Sequence, residues 1–219
     1  MAQKKLENLW QKGRKQMLND VTVFNIREYL SAKGDKDLGE DELRQLLFEF
    51  FCDKNPDVER FLKEQSIEFT KKNQSVTYLV FSNEDASLVG YFTITIKPIT
   101  VNAENFSNTM KRKIARVSEL DEENGTYTLS AYLIAQLGKN FKDGANEKIT
   151  GEQLLHAAVD TIKELQYMAG GMVIFLEAED NDKLMHFYED ENGFKQFDVR
   201  EAKSNTDKIH KLVQLLKVM

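Results

Sequence analysis

Cysteine is almost missing from this sequence: Cys52 is the only one among 219 residues. An intramolecular disulfide is therefore impossible and a cysteine metal cluster is excluded. A lone thiol of this kind reads as a small buried hydrophobe. The three histidines, His156, His186 and His210, share no ligand spacing such as i, i+4, so no metal site is read. No apolar run reaches the length of a membrane-spanning helix; the most apolar stretch, Met172 to Leu176, has the length of a strand. The first twenty residues, MAQKKLENLWQKGRKQMLND, are charged throughout and lack the apolar core of a signal peptide. Glu7, Asp20 and the absence of serine argue against a transit peptide. No serine stands in a G-x-S-x-G elbow, and no G-x-G fingerprint points to NAD. The expectation from these absences is a cytoplasmic protein without metal or membrane partner.

What is present describes an ordinary globular chain. Hydrophobic residues make up 41% and aromatic residues 10%, and only two prolines interrupt the backbone. The length gives room for one sizeable core with a small appendage. A net charge of −6 argues against a polyanion such as nucleic acid as the main partner, although a local basic patch stays open.

Taken in order, residues 1–20 carry a thin apolar stripe (Leu6, Trp10, Met17, Leu18) and read as a helical arm. Such an arm would pack on the body or on a second copy of the chain, leaving room for a homodimer. Residues 21–219 read as one domain. Val21–Ile26 alternates like a strand, and Glu42–Cys52 and Pro56–Lys72 read as helices. Ser75–Phe81 and Leu88–Ile99 flank the turn SNEDAS as a hairpin, with Pro98 expected to end the second strand. A short helix is read in NTMKRKIARVSEL. Its Lys111–Lys113 cluster either meets an anionic substrate or simply faces solvent.

The most informative stretch is Tyr127–Leu155. An apolar strand breaks at Gly138 into a polar loop, and the loop enters a helix at Gly151. Strand, loop and helix N-terminus together make an anion site, because free N–H groups and the helix dipole converge there. The helix Ile149–Met168, the strand GMVIFLEAED, the helix NDKLMHFYEDENG and two antiparallel strands complete a mixed α/β (α+β) order.

This order resembles the Gcn5-related N-acetyltransferase superfamily over Phe48–Met219, most specifically over Ala135–Phe197. The family's phosphate loop reads Gln/Arg-x-x-Gly-x-Gly/Ala and enters a helix whose first turn ends in Leu-Leu. Here Asn146 falls at the Gln/Arg position, Ile149 at the middle glycine and Gly151 at the last, followed by Leu154-Leu155. Ile149 carries a Cβ that restricts φ where glycine would not. A second match is Asn181-x-x-Leu184-x-x-Phe187-Tyr188-x(4)-Gly193-Phe194, in which Tyr188 takes the place of the family's tyrosine near the cofactor sulfur. A phenol near pKa 10 can protonate a leaving thiolate in nearly balanced fashion. Phe187-Tyr188 also reads as an aromatic pair packed on the sheet with its hydroxyl hydrogen-bonded. In style the sequence is similar to uncharacterised acetyltransferases of Gram-positive bacteria and, more distantly, to toxins that acetylate aminoacyl-tRNA.

The resemblance implies a central twisted, mostly antiparallel sheet flanked by helices, and an acetyl-CoA-dependent transfer to a small-molecule or peptide amine. Acetyl-CoA would lie where the long strand separates from Met172–Glu179. Its pantetheine would pair with Gln136, Leu137 and Gly138, and its pyrophosphate would sit over Lys148, Ile149, Thr150, Gly151 and Glu152, with Asn181 nearby. Tyr188 would be the general acid, and Glu179, on the same strand face as Glu177, a candidate base; solvated carboxylates are the plain alternative for both. A charged-tRNA acceptor and a non-catalytic module on the same fold remain the alternatives.

Overall fold

The computed structural model describes residues 16–18, 20–31, 39–203 and 209–219. The described residues belong to two compact units, Met1–Thr95 with Gln136–Thr161, and Ile96–Ala135 with Ile162–Met219.

In the first unit β1 (Gln16–Leu18), β2 (Val21–Asn25), β3 (Val76–Ser82) and the start of β4 (Leu88–Asn102) are successive antiparallel neighbours. The helical arm expected over residues 1–20 is a strand at Gln16–Leu18, where Leu18 pairs with Val21 and the ladder to β2 supplies every partner; residues 1–15 and 19 lie outside the described residues. A short helix, α1 (Ile26–Ser31), follows β2 where no helix was expected. Its signal is Asn25, whose side-chain oxygen accepts the Arg27 N–H at 2.9 Å and turns the chain locally.

α2 (Glu40–Phe48) stops four residues before the expected Cys52. The reason is a buried asparagine from elsewhere in the unit. Asn140 accepts the Phe51 N–H at 2.9 Å and donates to the Glu49 carbonyl at 3.2 Å, satisfying backbone that a longer helix would have satisfied itself. The helix expected over Pro56–Lys72 is present in three pieces: α3 (Pro56–Arg60), a π-helical turn (Phe61–Gln65) and α4 (Ser66–Lys71). Pro56 sits at the first helical position behind the Asn55 cap. These helices and strands bury Phe24, Leu43, Leu47, Phe50, Leu62, Leu79, Phe81 and Tyr91 in one cluster.

β4 runs through Pro98 instead of ending there. Its pairing with β3 extends only to Ile94, so Pro98 withdraws no N–H from that ladder. β6 (Thr126–Lys139) brings Gln136–Lys139 into this unit, and a 3-10 segment (Lys142–Lys148) leads to α6 (Gly151–Ala169).

In the second unit the strand order is β4-β6-β7-β9-β8, with β7 at Val173–Glu179, β8 at Lys195–Lys203 and β9 at Ile209–Val218, while β5 (Leu120–Asp121) pairs with β6. β6 and β7 are parallel, whereas β5–β6, β7–β9 and β8–β9 are antiparallel. α5 (Asn108–Ile114) follows a Ser107 cap, and α7 (Asp182–Met185) continues into a second π-helical turn (His186–Glu191). Ile99, Val101, Phe106, Ile114, Leu129, Leu133 and Phe175 form this unit's own core. The mixed α/β, mostly antiparallel architecture expected from the sequence is thus present.

Candidate functional site

The parallel ladder between β6 and β7 covers only Ala131–Ile134 against Val173–Leu176. β7 keeps β9 as its partner to Glu179, and β6 runs on to Lys139 outside that ladder. Gln136, Leu137 and Gly138 therefore lie on a strand end whose backbone is not taken up by β7, the kind of edge an extended ligand can pair with. Close approach dictates the glycines here. A Cβ added to Gly138 would come closer than 3.0 Å to Val58 Cγ1, and one added to Gly90 would sit 2.9 Å from the Gly138 carbonyl and 3.1 Å from Leu154 Cδ1.

The loop after β6 makes its turn upstream of the position the family pattern suggests. Asp143 (φ 50°) and Gly144 (φ 76°) are left-handed, whereas Ile149 is extended at φ −145°, ψ 137°. An extended backbone suits any residue, and the Ile149 side chain, 1% exposed, is spent in the core. No glycine is needed at that position, because the segment Lys142–Lys148 has already reversed the chain.

Thr150 then opens α6 as half of a capping box. The Gln153 N–H donates to Thr150 Oγ1 at 3.0 Å, and the Thr150 N–H donates to Gln153 Oε1 at 2.8 Å. Lys148 forms an ion pair with Asp85 and donates to Ser87 Oγ at 3.2 Å. The Lys148 bond first, and that from Ser87 second, hold the Asp85 carboxyl down at about 2. The hydroxyl and the cation that the sequence offered to an anion are thus engaged within the protein. What remains is backbone: the Gly151 and Glu152 N–H groups, at the start of a 19-residue helix, have no intrahelical acceptor and lie at the positive end of its dipole. An anion at this helix start would meet those N–H groups, since Lys148 is already taken by Asp85.

The second segment of interest is in the other unit. Asn181 caps α7, accepting from the Lys183 N–H at 2.9 Å and the Leu184 N–H at 3.4 Å. The π-helical turn that follows carries Tyr188, whose ring meets Phe187 (centroids 5.0 Å) and Phe194 (6.0 Å) edge-on. Three bonds close the turn: Asn192 Nδ2 to the Phe187 carbonyl at 2.8 Å, Gly193 N–H to Glu189 at 3.1 Å, and Phe194 N–H to Tyr188 at 2.9 Å. Burial pushes the Tyr188 phenol up to about 12. Among the described residues its hydroxyl has no hydrogen-bond partner. Tyr188 is half-buried and its hydroxyl is not among the fully buried unpartnered atoms, so it is open to water or to a ligand.

The two glutamates of β7 part company. Arg200 Nε donates to Glu177 Oε1 at 2.6 Å, Arg200 Nη2 reaches Oε2, and Gln214 Nε2 donates to Oε1 at 2.7 Å. Burial opposes the Glu177 charge, and the Arg200 and Gln214 bonds overcome it, holding the carboxyl below its ordinary value. Glu179 and Asp180 are exposed. His186 is exposed and pairs with Asp190, and among the described residues no three His, Cys, Asp or Glu side chains are grouped to hold a metal. Gln153, Asn140, Asp85 and Arg200 were not singled out from the sequence; only Gln153 had a local signal, the Thr-x-x-Gln spacing.

No family profile and no characterised protein sequence matches the chain. Solved structures do. AtaT complexed with acetyl-methionyl-tRNAfMet is similar over 91% of this chain and 95% of that one, at TM-score 0.58 and 16% identity. A tyrosine-to-phenylalanine mutant of the AtaT toxin, bound to the C-terminus of the antitoxin AtaR and acetyl-CoA, is similar over 91% and 94%, at TM-score 0.51 and 15% identity. A tyrosine-to-phenylalanine mutant of KacT is similar over 89% and 95%, at TM-score 0.53 and 16% identity. The fold is that of the Gcn5-related N-acetyltransferases. The resemblance to this acetyltransferase fold read from Ala135–Phe197 therefore extends over about nine-tenths of the chain. The net charge of this chain argues against nucleic acid as its main partner, whereas AtaT, of the same fold, is solved with a tRNA.

Proposed function

We propose that this chain is an acetyl-CoA-dependent N-acetyltransferase in which Tyr188 is the general acid. The observation that carries the reading is the likeness to AtaT over nearly the whole of both chains, one of those structures being bound to acetyl-CoA. Acetyl-CoA is then the cosubstrate: the backbone of Gln136–Gly138 pairs with its pantetheine, and the Gly151 and Glu152 N–H groups hold its pyrophosphate. The acceptor amine attacks the thioester carbonyl, the C–S bond breaks, and the Tyr188 hydroxyl gives its proton to the departing sulfur. The proton released by the new amide nitrogen passes to water or to the exposed Glu179. Burial that lifts the phenol to about 12 makes it a weaker acid but keeps it fully protonated through the working range.

Calorimetry with acetyl-CoA and the Tyr188→Phe variant test this. Tyr188→Phe is expected to lower kcat by about 10²–10⁴ while leaving acetyl-CoA affinity unchanged. Unchanged turnover refutes the role of Tyr188. No heat of binding at high micromolar acetyl-CoA refutes the enzyme reading and leaves a non-catalytic module on the same fold. For the acceptor, the AtaT complex favours the amino group of a charged tRNA over a small-molecule amine. Growth arrest on expression, abolished by Tyr188→Phe, supports that acceptor; growth unaffected by the active enzyme counts against it.

A further inference from the structure

The turn joining α2 to α3 and the end of β6 carry a set of side chains that acetyl transfer does not use. Phe51 is 46% exposed, an unusual position for an aromatic ring on a rigid turn. The turn is rigid because Asn140, only 3% exposed, is bonded on every side. It accepts from the N–H groups of Phe51 and Lys142 (2.9 and 3.1 Å) and donates to the carbonyls of Glu49 and Leu88 (3.2 and 2.8 Å). The Phe141 N–H donates to the Phe51 carbonyl at 2.7 Å, fixing the two aromatic residues side by side. The Lys54 ammonium lies over the Phe141 ring, 4.5 Å from its centroid.

We propose that Phe51, Phe141, Lys54 and Lys139 form a binding site for a nucleotide phosphate, the base stacking on Phe51 and the phosphate lying against the two ammonium groups. Lys54 and Lys139 have no carboxylate partner among the described residues, whereas the neighbouring Lys142 and Lys63 are paired with Glu49 and Glu59. Glu49 of the same turn is taken by Lys142, and no ion pair joins Asp53 to either ammonium group among the described residues. Burial first and the Lys54 charge second hold Lys139 below the ordinary lysine value. Two like charges kept together without a counterion are relieved by an anion. The exposed ring decides what kind of anion: a bare phosphate gains nothing from Phe51, whereas a base has a face to stack on it.

The test is fluorescence anisotropy of the whole chain with a 5′-labelled hexa-adenylate RNA, between about 50 and 200 mM salt, competed with 3′,5′-ADP. Lys54→Gln/Lys139→Gln is expected to weaken binding at least about tenfold and to flatten the salt slope by about 1.4, two phosphate contacts at ~0.7 each. Phe51→Ala is expected to weaken it about fivefold or more with the slope unchanged. Lys111→Gln/Lys113→Gln, an equal charge change on α5, is expected to leave it as it was. Displacement by 3′,5′-ADP identifies a mononucleotide as sufficient, and its failure identifies the polymer; both support the site. Binding that neither pair of lysines affects, or that both affect equally, overturns it, as does the absence of binding at high micromolar protein. Thermal melting confirms that each variant is folded, and the exposed single change Lys54→Gln replaces the pair if that one is not. Binding is read without acetyl-CoA, so this proposal and the acetyltransferase reading fail independently.

Discussion

Gly138→Ala isolates a purely steric demand. Gly138 does not need glycine for a left-handed backbone, since its φ lies outside the positive range that Gly125, Gly144, Gly170, Gly171 and Gly193 occupy. It needs glycine for space. A Cβ there would come closer than 3.0 Å to Val58 Cγ1 and would also touch Phe50 Cζ and Tyr91 Cε1, each at 3.4 Å. Val58 has little freedom to retreat. The Tyr91 hydroxyl donates to its carbonyl at 2.6 Å, and its own N–H is held by the Asn55 cap at 3.3 Å. One methyl forced into such a site costs about 1–3 kcal/mol, offset by about 0.4–1 kcal/mol for the lost freedom of the unfolded glycine. The net destabilisation of roughly 0–2.6 kcal/mol corresponds to a fall in Tm of up to about 10 °C at roughly 2–4 °C per kcal/mol for a chain of this size.

The assay is thermal and urea unfolding of Gly138→Ala, Val58→Ala and the double variant. Val58→Ala removes the atom the new Cβ meets, so the double variant is expected to be more stable than the two single effects added, by about 0.5–3 kcal/mol of coupling. Strict additivity would refute the steric account. So would a Gly138→Ala protein more stable than the parent, because the backbone term would then have outweighed the clash.

Two further outcomes follow from the same loop. Thr150→Ala removes the acceptor of the Gln153 N–H and is expected to cost about 0.5–2 kcal/mol in urea unfolding, with Thr150→Ser restoring most of it. Lys148→Met is expected to move the Asp85 titration, followed by NMR, from about 2 up towards 3.8. The sign is fixed by linkage: a carboxyl depressed in the folded state stabilises above its unfolded pKa, and that contribution disappears as pH falls from 3.8 through about 2. Both partners are substantially solvated, so Lys148→Met should lower stability near neutral pH by no more than about 0.2–1 kcal/mol.

Much of the fold was legible because period and punctuation agree. Val21–Asn25, the hairpin around SNEDAS, α6 and the two last strands each form where their spacing announces them. What could not be read depended on residues far apart in sequence. The early end of α2 is set by Asn140, about ninety positions on. The fate of Pro98 is set by where β3 stops pairing. The π-helical turns at Phe61 and His186 keep a helical pattern, so nothing in the spacing reveals the extra residue per turn. Tyr188 was legible from the motif around it, whereas its unpartnered hydroxyl belongs to three-dimensional packing alone. Ile149 was misleading in an instructive way. A pattern comparison treats the middle glycine as a conformational requirement, but Asp143 and Gly144 meet that requirement earlier, and position 149 becomes free to be buried.

Net charge, read against a polyanionic partner, has a limit that carries beyond this chain. A net charge of −6 is a sum over the whole sequence, while an anion at the surface senses charges within a Debye length of about 8–10 Å. In the first unit several acids are engaged by their neighbours, Glu40 by Arg44 and Lys71, Glu59 by Lys63, Glu49 by Lys142 and Asp85 by Lys148, although others such as Asp41, Glu42, Asp53 and Glu64 are in no ion pair among the described residues. Lys54 and Lys139 are left over, and in the second unit so are Lys111, Arg112, Lys113 and Arg116, none of which has a carboxylate partner among the described residues. The paired acids contribute fully to the sum and little to the field outside their pairs. An acidic protein can therefore hold a polyanion wherever its unpaired cations gather, and the quantity to read from a sequence of this kind is which cations lack a partner rather than which sign predominates.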